Sequence, residues 1–119
     1  MAGVFGDDIN NRSDFFRELA RAKSVAQSLI ARFPNDVNFR AVLTQIEAIE
    51  QWTANGRTPT KDERAKIGMG LRLHREYEVT SDPEILELKD LASGLNNYFD
   101  HWPDDATASD PKNMYLMYQ

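Results

Sequence analysis

The stretch His74–Leu86, HREYEVTSDPEIL, joins two predicted helices through a tightly specified turn. Asp82 suits the N-cap position, because its carboxylate can accept the unsatisfied backbone N–H groups of a first helical turn. Pro83 suits the first helical position, where no N–H is needed. Ser81 followed by Glu84 offers a capping box as an alternative start. The turn is therefore expected to gather five side chains at one corner of the molecule: Glu76, Tyr77, Glu78, Asp82 and Glu84.

Apolar residues recur at steps of three and four along most of the chain, which is the pattern of amphipathic helices. Pro34 stops the first helix, Asn55-Gly56 ends the second, and Thr60 with Glu63 forms a capping box for the third. No alternating strand pattern is present. The sequence predicts an all-α fold, a small four-helix bundle with antiparallel neighbours and short connections. The predicted helices are 13–33, 36–54, 61–78 and 83–102, with Leu29, Ile46, Leu71 and Leu95 in the core.

Two glycines, Gly68 and Gly70, fall inside the third predicted helix. Each costs about 1 kcal/mol relative to alanine in a helix interior. Such a cost is tolerated where another backbone approaches closely, either a neighbouring helix or a binding partner. Of the two, packing against a neighbouring helix is the favoured interpretation.

The two ends of the chain differ from this helical pattern. Residues 1–12 are rich in glycine, aspartate and asparagine, and are expected to form a flexible arm. Residues 103–119 are first acidic and then apolar, and are expected to form a tail. The last six residues could fold back on the bundle or lie against a partner, and fold-back is favoured. The helical domain itself is expected to span residues 13–102.

The length and the net charge of the chain limit the functions that it can have. A chain of 119 residues has room for one modest core. The net charge of −5 argues against nucleic acid as the main partner, because phosphate neutralisation needs clustered basic residues, but leaves open a basic protein. The absence of cysteine excludes disulfides and fits a reducing compartment. The sequence has neither a secretory signal pattern nor an apolar run of membrane-spanning length, so no membrane role is expected.

The chain carries few residues suited to catalysis or metal binding. Neither His74 nor His101 lies in the Glu-x-x-His pattern of helical metal sites. His74 and Glu78 share one helix face and could be half of a metal site, but a hydrogen-bonded or exposed histidine is the favoured reading. No cofactor, metal ligand set or catalytic residue is predicted. The carboxylates of the 76–84 corner can be helix caps, a binding surface or, least favoured, a catalytic pair.

Five stretches carry a resemblance to known proteins: Arg32-Phe33-Pro34, Glu50-Gln51-Trp52, Ile67-Gly68 with Leu71, Arg75-Glu76-Tyr77-Glu78 and Ser81-Asp82-Pro83-Glu84-Ile85. The order of these features resembles a family of small helical immunity proteins from bacterial type VI secretion systems, over about residues 14–101. It looks like the members of that family that neutralise a toxin hydrolysing NAD and NADP.

The resemblance implies a cytoplasmic protein that is not an enzyme. It implies binding to the toxin domain of a secreted effector and obstruction of the active site, with the free protein a monomer or homodimer. The corner residues Glu76, Tyr77, Glu78, Asp82 and Glu84 are the predicted toxin contacts. Alternatives are immunity to another nucleotide-targeting toxin, a generic helical adaptor or scaffold, and, least favoured, a small helical enzyme.

Overall fold

The computed structural model describes residues 9–102, and every regular element in that range is helical. The predicted all-α bundle is thereby confirmed. The tail at 103–119 and most of the predicted arm lie outside the described residues. The helices are α1 (Arg12–Arg32), α2 (Val37–Trp52), α3 (Lys61–Ala65), α4 (Met69–Glu76) and α5 (Pro83–Asp100), with a single 3₁₀ turn at Ala54–Gly56.

Four helices, α1, α2, α4 and α5, surround the core, and each packs against two of the others. Phe15 near the start of α1 stacks on Phe99 near the end of α5. Arg32 at the end of α1 pairs with Asp82 at the start of α5, so these two helices are antiparallel. The other neighbours are antiparallel too, as paired contacts show: Phe33–Phe39 and Lys23–Glu50 for α1 and α2, Asn38–Arg72 and Gln45–Gly68 for α2 and α4, Gly70–Asn96 and Tyr77–Lys89 for α4 and α5.

The prediction of one continuous helix over residues 61–78 is wrong. The helix ends at Ala65 and a new one begins at Met69. Side chains from neighbouring helices satisfy the backbone at the break: Gln45 Oε1 accepts the Gly68 N–H at 3.0 Å, and Asn96 Nδ2 donates to the Ile67 carbonyl at 3.1 Å. The break resets the helical phase, so an apolar pattern read across it misplaces side chains.

Leu71 shows this error directly. It was predicted to be in the core, but 64% of its surface is exposed. Leu73, two residues later, is fully buried instead. The other three predicted core residues, Leu29, Ile46 and Leu95, are completely buried.

The backbones of α4 and α5 approach closely at Gly70. A Cβ at this position would lie 3.2 Å from the Ser93 Cα and 3.4 Å from the Ala92 carbonyl oxygen. Internal packing is therefore confirmed for Gly70. It is wrong for Gly68, where a Cβ would meet nothing within 4 Å and the residue serves as the N-cap of α4.

The local start and stop signals act as the sequence indicates. The Asp82 carboxylate accepts N–H groups of the first turn of α5 at 3.0 and 3.3 Å. Thr60 and Glu63 form the predicted reciprocal capping box. Asn55 and Gly56 both adopt positive φ, 58° and 80°, where asparagine and glycine are the residues best tolerated. These signals fix where α2 ends and where α3 and α5 begin.

An aromatic cluster fills the end of the bundle opposite the 76–84 corner. The rings of Phe15, Tyr98 and Trp102 contact one another, and the Phe15 centroid lies 5.2 and 5.1 Å from those of Tyr98 and Trp102. The Arg12 guanidinium lies over the Trp102 ring at 4.8 Å. Among residues 9–102, no helix combines the length and apolar character needed to cross a membrane.

Candidate interaction surface

The 76–84 corner is attached to α1 by one arginine. Arg32 Nη2 contacts Asp82 Oδ2 at 2.6 Å, and Nη1 contacts Glu84 Oε1 at 2.7 Å. Ser28 also donates to Glu84, at 2.7 Å. Two of the five predicted contact residues are therefore held by partners within the protein, and their geometry is fixed before any partner arrives.

These contacts change the acidity of both carboxyls. Hydrogen bonding from Arg32 lowers the pKa of Asp82 below its usual value, helped by the backbone N–H groups that it caps. Hydrogen bonds from Ser28 and then Arg32 lower the pKa of Glu84. Both groups are therefore charged at neutral pH, and their charge is balanced in part by the guanidinium.

Tyr77 is half-buried and joins the corner to α2. Its ring stacks on Phe39 with centroids 5.1 Å apart and planes 5° from parallel. Its hydroxyl donates to the carboxylate of Asp36, which is also the N-cap of α2. Burial, followed by the hydrogen bond to Asp36, raises the pKa of Tyr77. Lys89 donates to the Tyr77 carbonyl at 2.8 Å, which ties the end of α4 to α5 as well.

Glu76 and Glu78 are the exposed members of the predicted set. Glu76 accepts one long hydrogen bond, 3.5 Å, from Asn38 Nδ2. Glu78 makes no ion pair or hydrogen bond with the described part of the chain. The corner thus combines two carboxylates open to a partner with three side chains, Tyr77, Asp82 and Glu84, that hold the turn in place.

The structure adds a neighbouring segment that is not among the residues predicted from the sequence. The α1–α2 turn, residues 33–36, is joined to the corner through both Arg32 and Asp36. Residues 32–37 line an open depression of about 620 Å³. Phe33 is 38% exposed and Val37, the first residue of α2, is 71% exposed. Val79, between α4 and α5, is 96% exposed.

The charged residues in the sequence could have indicated that the α1–α2 turn lies beside the corner. Arg32 lies at the end of one helix, and Asp82 and Glu84 lie at the start of another. If the two helices are antiparallel neighbours, these ends meet and opposite charges attract. Choosing which two of four helices are neighbours requires the tertiary structure.

A second open depression, about 370 Å³, lies between α2 and α4. Exposed Leu71 lies there among basic side chains, and the lining includes Lys66, Arg72 and Arg75. Glu76 borders it on the corner side. His74 is exposed, and the described residues contain no group of three or more histidine and carboxylate side chains arranged to hold a metal ion.

Comparison of the chain with protein-family models, curated proteins and solved structures yields no match.

Proposed function

We propose that this protein is an immunity protein: it binds the toxin domain of an interbacterial effector, one that degrades NAD or NADP, and obstructs its active site. In this proposal it acts in the cytoplasm, by stoichiometric binding and without turnover, cofactor or metal. The sequence features from Arg32 to Ile85 motivate the choice of toxin. The geometry of the corner motivates the choice of surface.

The single observation that carries the proposal is the preorganisation of the 76–84 corner. Arg32 fixes the start of α5, and the Tyr77 hydroxyl fixes the end of α4 against Asp36. Glu76 and Glu78 project from this fixed turn. Side chains and backbone that are already ordered lose less conformational freedom on docking, which favours tight binding.

The local charge of the corner supports its choice as the binding surface more than the net charge of the chain does. Residues 9–102 contain thirteen basic and fourteen acidic side chains, so the helical region is close to neutral. The corner is more acidic than this average. Residues 76–84 carry the carboxylates Glu76, Glu78, Asp82 and Glu84 and contain no lysine or arginine. A toxin cleft that binds a dinucleotide pyrophosphate needs positive potential, and an acidic corner complements it.

The proposal is tested by co-expressing the protein with the toxin domain encoded beside its gene and measuring cellular NAD. We expect NAD to fall with the toxin alone and to be retained with the protein. Retention must come from binding, so the purified pair should form a stable complex. If the protein were an adaptor unrelated to toxins, NAD would not be retained and no stable complex with the toxin would form. Loss of NAD despite well-expressed protein would refute the proposal.

The corner is tested by the double variant Glu76→Arg, Glu78→Arg. Both side chains are exposed, so the helix content and thermal midpoint should stay unchanged. Reversal of two charges should weaken toxin capture at least tenfold, mainly through slower association at low salt. The double variant Glu47→Arg, Asp90→Arg makes the same charge change at exposed positions on α2 and α5. If the corner variant captures the toxin as well as this control does, the contact surface lies elsewhere.

A further inference from the structure

Exposed apolar side chains at the corner end of the bundle are not explained by the fold. Val37 and Val79 are 71% and 96% exposed, so neither contributes appreciably to the core. Val37 is the first residue of α2, directly after the α1–α2 connection, and Val79 lies in the α4–α5 connection. The Tyr77–Asp36 hydrogen bond joins these connections, since Asp36 directly precedes Val37 and Tyr77 is two residues before Val79.

Phe33 adds a third apolar group in a fixed position. Its ring lies 6.0 Å from that of Phe39, centroid to centroid, and carries the Arg32 guanidinium at 4.8 Å. The same arginine is held by Asp82 and Glu84. The exposed part of the Phe33 ring is therefore presented by a rigid support, beside the open depression lined by residues 32–37.

We infer that Phe33, Val37 and Val79 are the apolar centre of the protein-binding surface, with Glu76 and Glu78 on its acidic rim. This inference rests on the proposed function. Protein interfaces concentrate their binding energy in a few well-supported side chains at the centre, while charged residues at the rim mainly guide association. Phe33, Val37 and Val79, with Glu76 and Glu78 at the edge, form such an arrangement. The contacts predicted from the sequence are only the four carboxylates and Tyr77.

The partner that fits this surface is a toxin face with an apolar hollow rimmed by lysine or arginine. Charge complementarity selects the rim, because Glu78 directly precedes Val79 and Glu76 accepts a hydrogen bond from Asn38, the residue after Val37. A dinucleotide-binding cleft has this chemistry: cations for the pyrophosphate and apolar walls for the ring systems. Insertion of the apolar centre into the cleft would exclude the substrate directly.

The test measures affinity for a catalytically inactive form of the neighbouring toxin domain, using Val37→Asp and Val79→Asp. Aspartate at position 37 suits the first turn of α2, so the fold is retained. Val79 is almost fully exposed, which makes the second variant independent of helix effects. Each change should weaken binding at least tenfold, chiefly through faster dissociation. Leu71→Asp is the matched control, since Leu71 is 64% exposed on the α2–α4 face, and its affinity should stay within twofold of wild type.

The outcomes separate the two proposals. If wild type fails to bind the toxin, the proposed function fails and the surface inference fails with it. If wild type binds while both valine variants bind within twofold, only the surface inference is overturned. If Leu71→Asp alone weakens binding, the toxin contacts the basic α2–α4 face, and the surface inference is again overturned.

Discussion

Tyr77 shows how one residue can combine roles that a sequence suggests separately. The sequence predicts Tyr77 as one of the five toxin contacts. In the structure its ring stacks on Phe39 and its hydroxyl binds the Asp36 carboxylate. Its remaining exposure still allows contact with a partner, but its main neighbours belong to the bundle. Any loss of toxin binding on truncation of Tyr77 must therefore be separated from loss of stability.

Tyr77→Phe isolates the hydroxyl. The ring stack remains, while Asp36 loses a donor, and a hydrogen bond to a charged group contributes about 1.5–3 kcal/mol. For this half-buried group we expect the free energy of unfolding to fall by about 1–2 kcal/mol. Urea denaturation followed by circular dichroism measures it, with Glu78→Gln as an exposed neighbouring control that should change little. A loss below about 0.5 kcal/mol would mean that water replaces the tyrosine hydroxyl without cost.

At the scale of elements, the α1–α5 contact is a line of polar pairs beside the core. Arg21 Nη2 contacts Glu87 Oε1 at 2.9 Å, and further along α1 Ser28 and Arg32 reach Glu84 and Asp82. Two cations of α1, Arg21 and Arg32, thus meet acidic side chains of α5 and its N-cap across the helix boundary. This pairing orders the corner through an element remote in sequence.

Acid should weaken this contact. The pKa values of Asp82 and Glu84 are lowered in the folded protein, so their contribution to stability is present above their unfolded values, about 4, and is lost as pH falls through the lower folded values. Arg32→Gln removes the main cause at Asp82. We expect the free energy of unfolding of this variant to decline less steeply than that of wild type between about pH 5 and pH 2.5.

Arg40→Gln provides the control for this measurement. It removes the same charge from an exposed position on α2 that makes no ion pair in the described range. Its pH dependence should follow that of wild type. Parallel curves for all three proteins, measured by urea unfolding at each pH, would show that Arg32 does not link the two carboxyls to stability.

The elements themselves differ in how far the sequence predicts them. Caps and stops depend on residues within one turn, so Asp82, Thr60 and Asn55-Gly56 could be read locally. The break at 66–68 could not, because Gln45 and Asn96 supply its hydrogen bonds from other helices. The same limit applies to the candidate surface. The five corner residues can be predicted from the sequence of one turn. That Phe33 and Val37 lie beside them can be known only from the packing of α1 and α2 against that turn.

At the scale of the whole molecule, α1, α2, α4 and α5 share one core among the described residues, and α3 contributes no buried side chain to it. Buried side chains from α1, α2, α4 and α5 form a single cluster, and Trp52 and Trp102 both lie near Phe99, with ring centroids 6.4 and 5.7 Å away. Since no helix has a core of its own, we expect unfolding to be cooperative.

This expectation is checked with two signals. Tryptophan fluorescence reports the aromatic end, while far-ultraviolet circular dichroism reports all helices. The two urea transitions should have the same midpoint and the same slope. A fluorescence transition at lower urea than the dichroism transition would mean that the aromatic end opens while the corner end stays folded.

The antiparallel pairing of α1 and α5 also determines how the bundle responds to mechanical force. Arg12 and Trp102 are neighbours, so pulling on these two residues loads α1 and α5 from the same end. Contacts then break one after another, as in a zipper: first the aromatic cluster, next Arg21–Glu87, and last the pairs of Arg32 with Asp82 and Glu84. Such a geometry yields at low force, because only one layer of contacts bears the load at a time. The corner that we propose as the binding surface is the last part of the α1–α5 contact to separate.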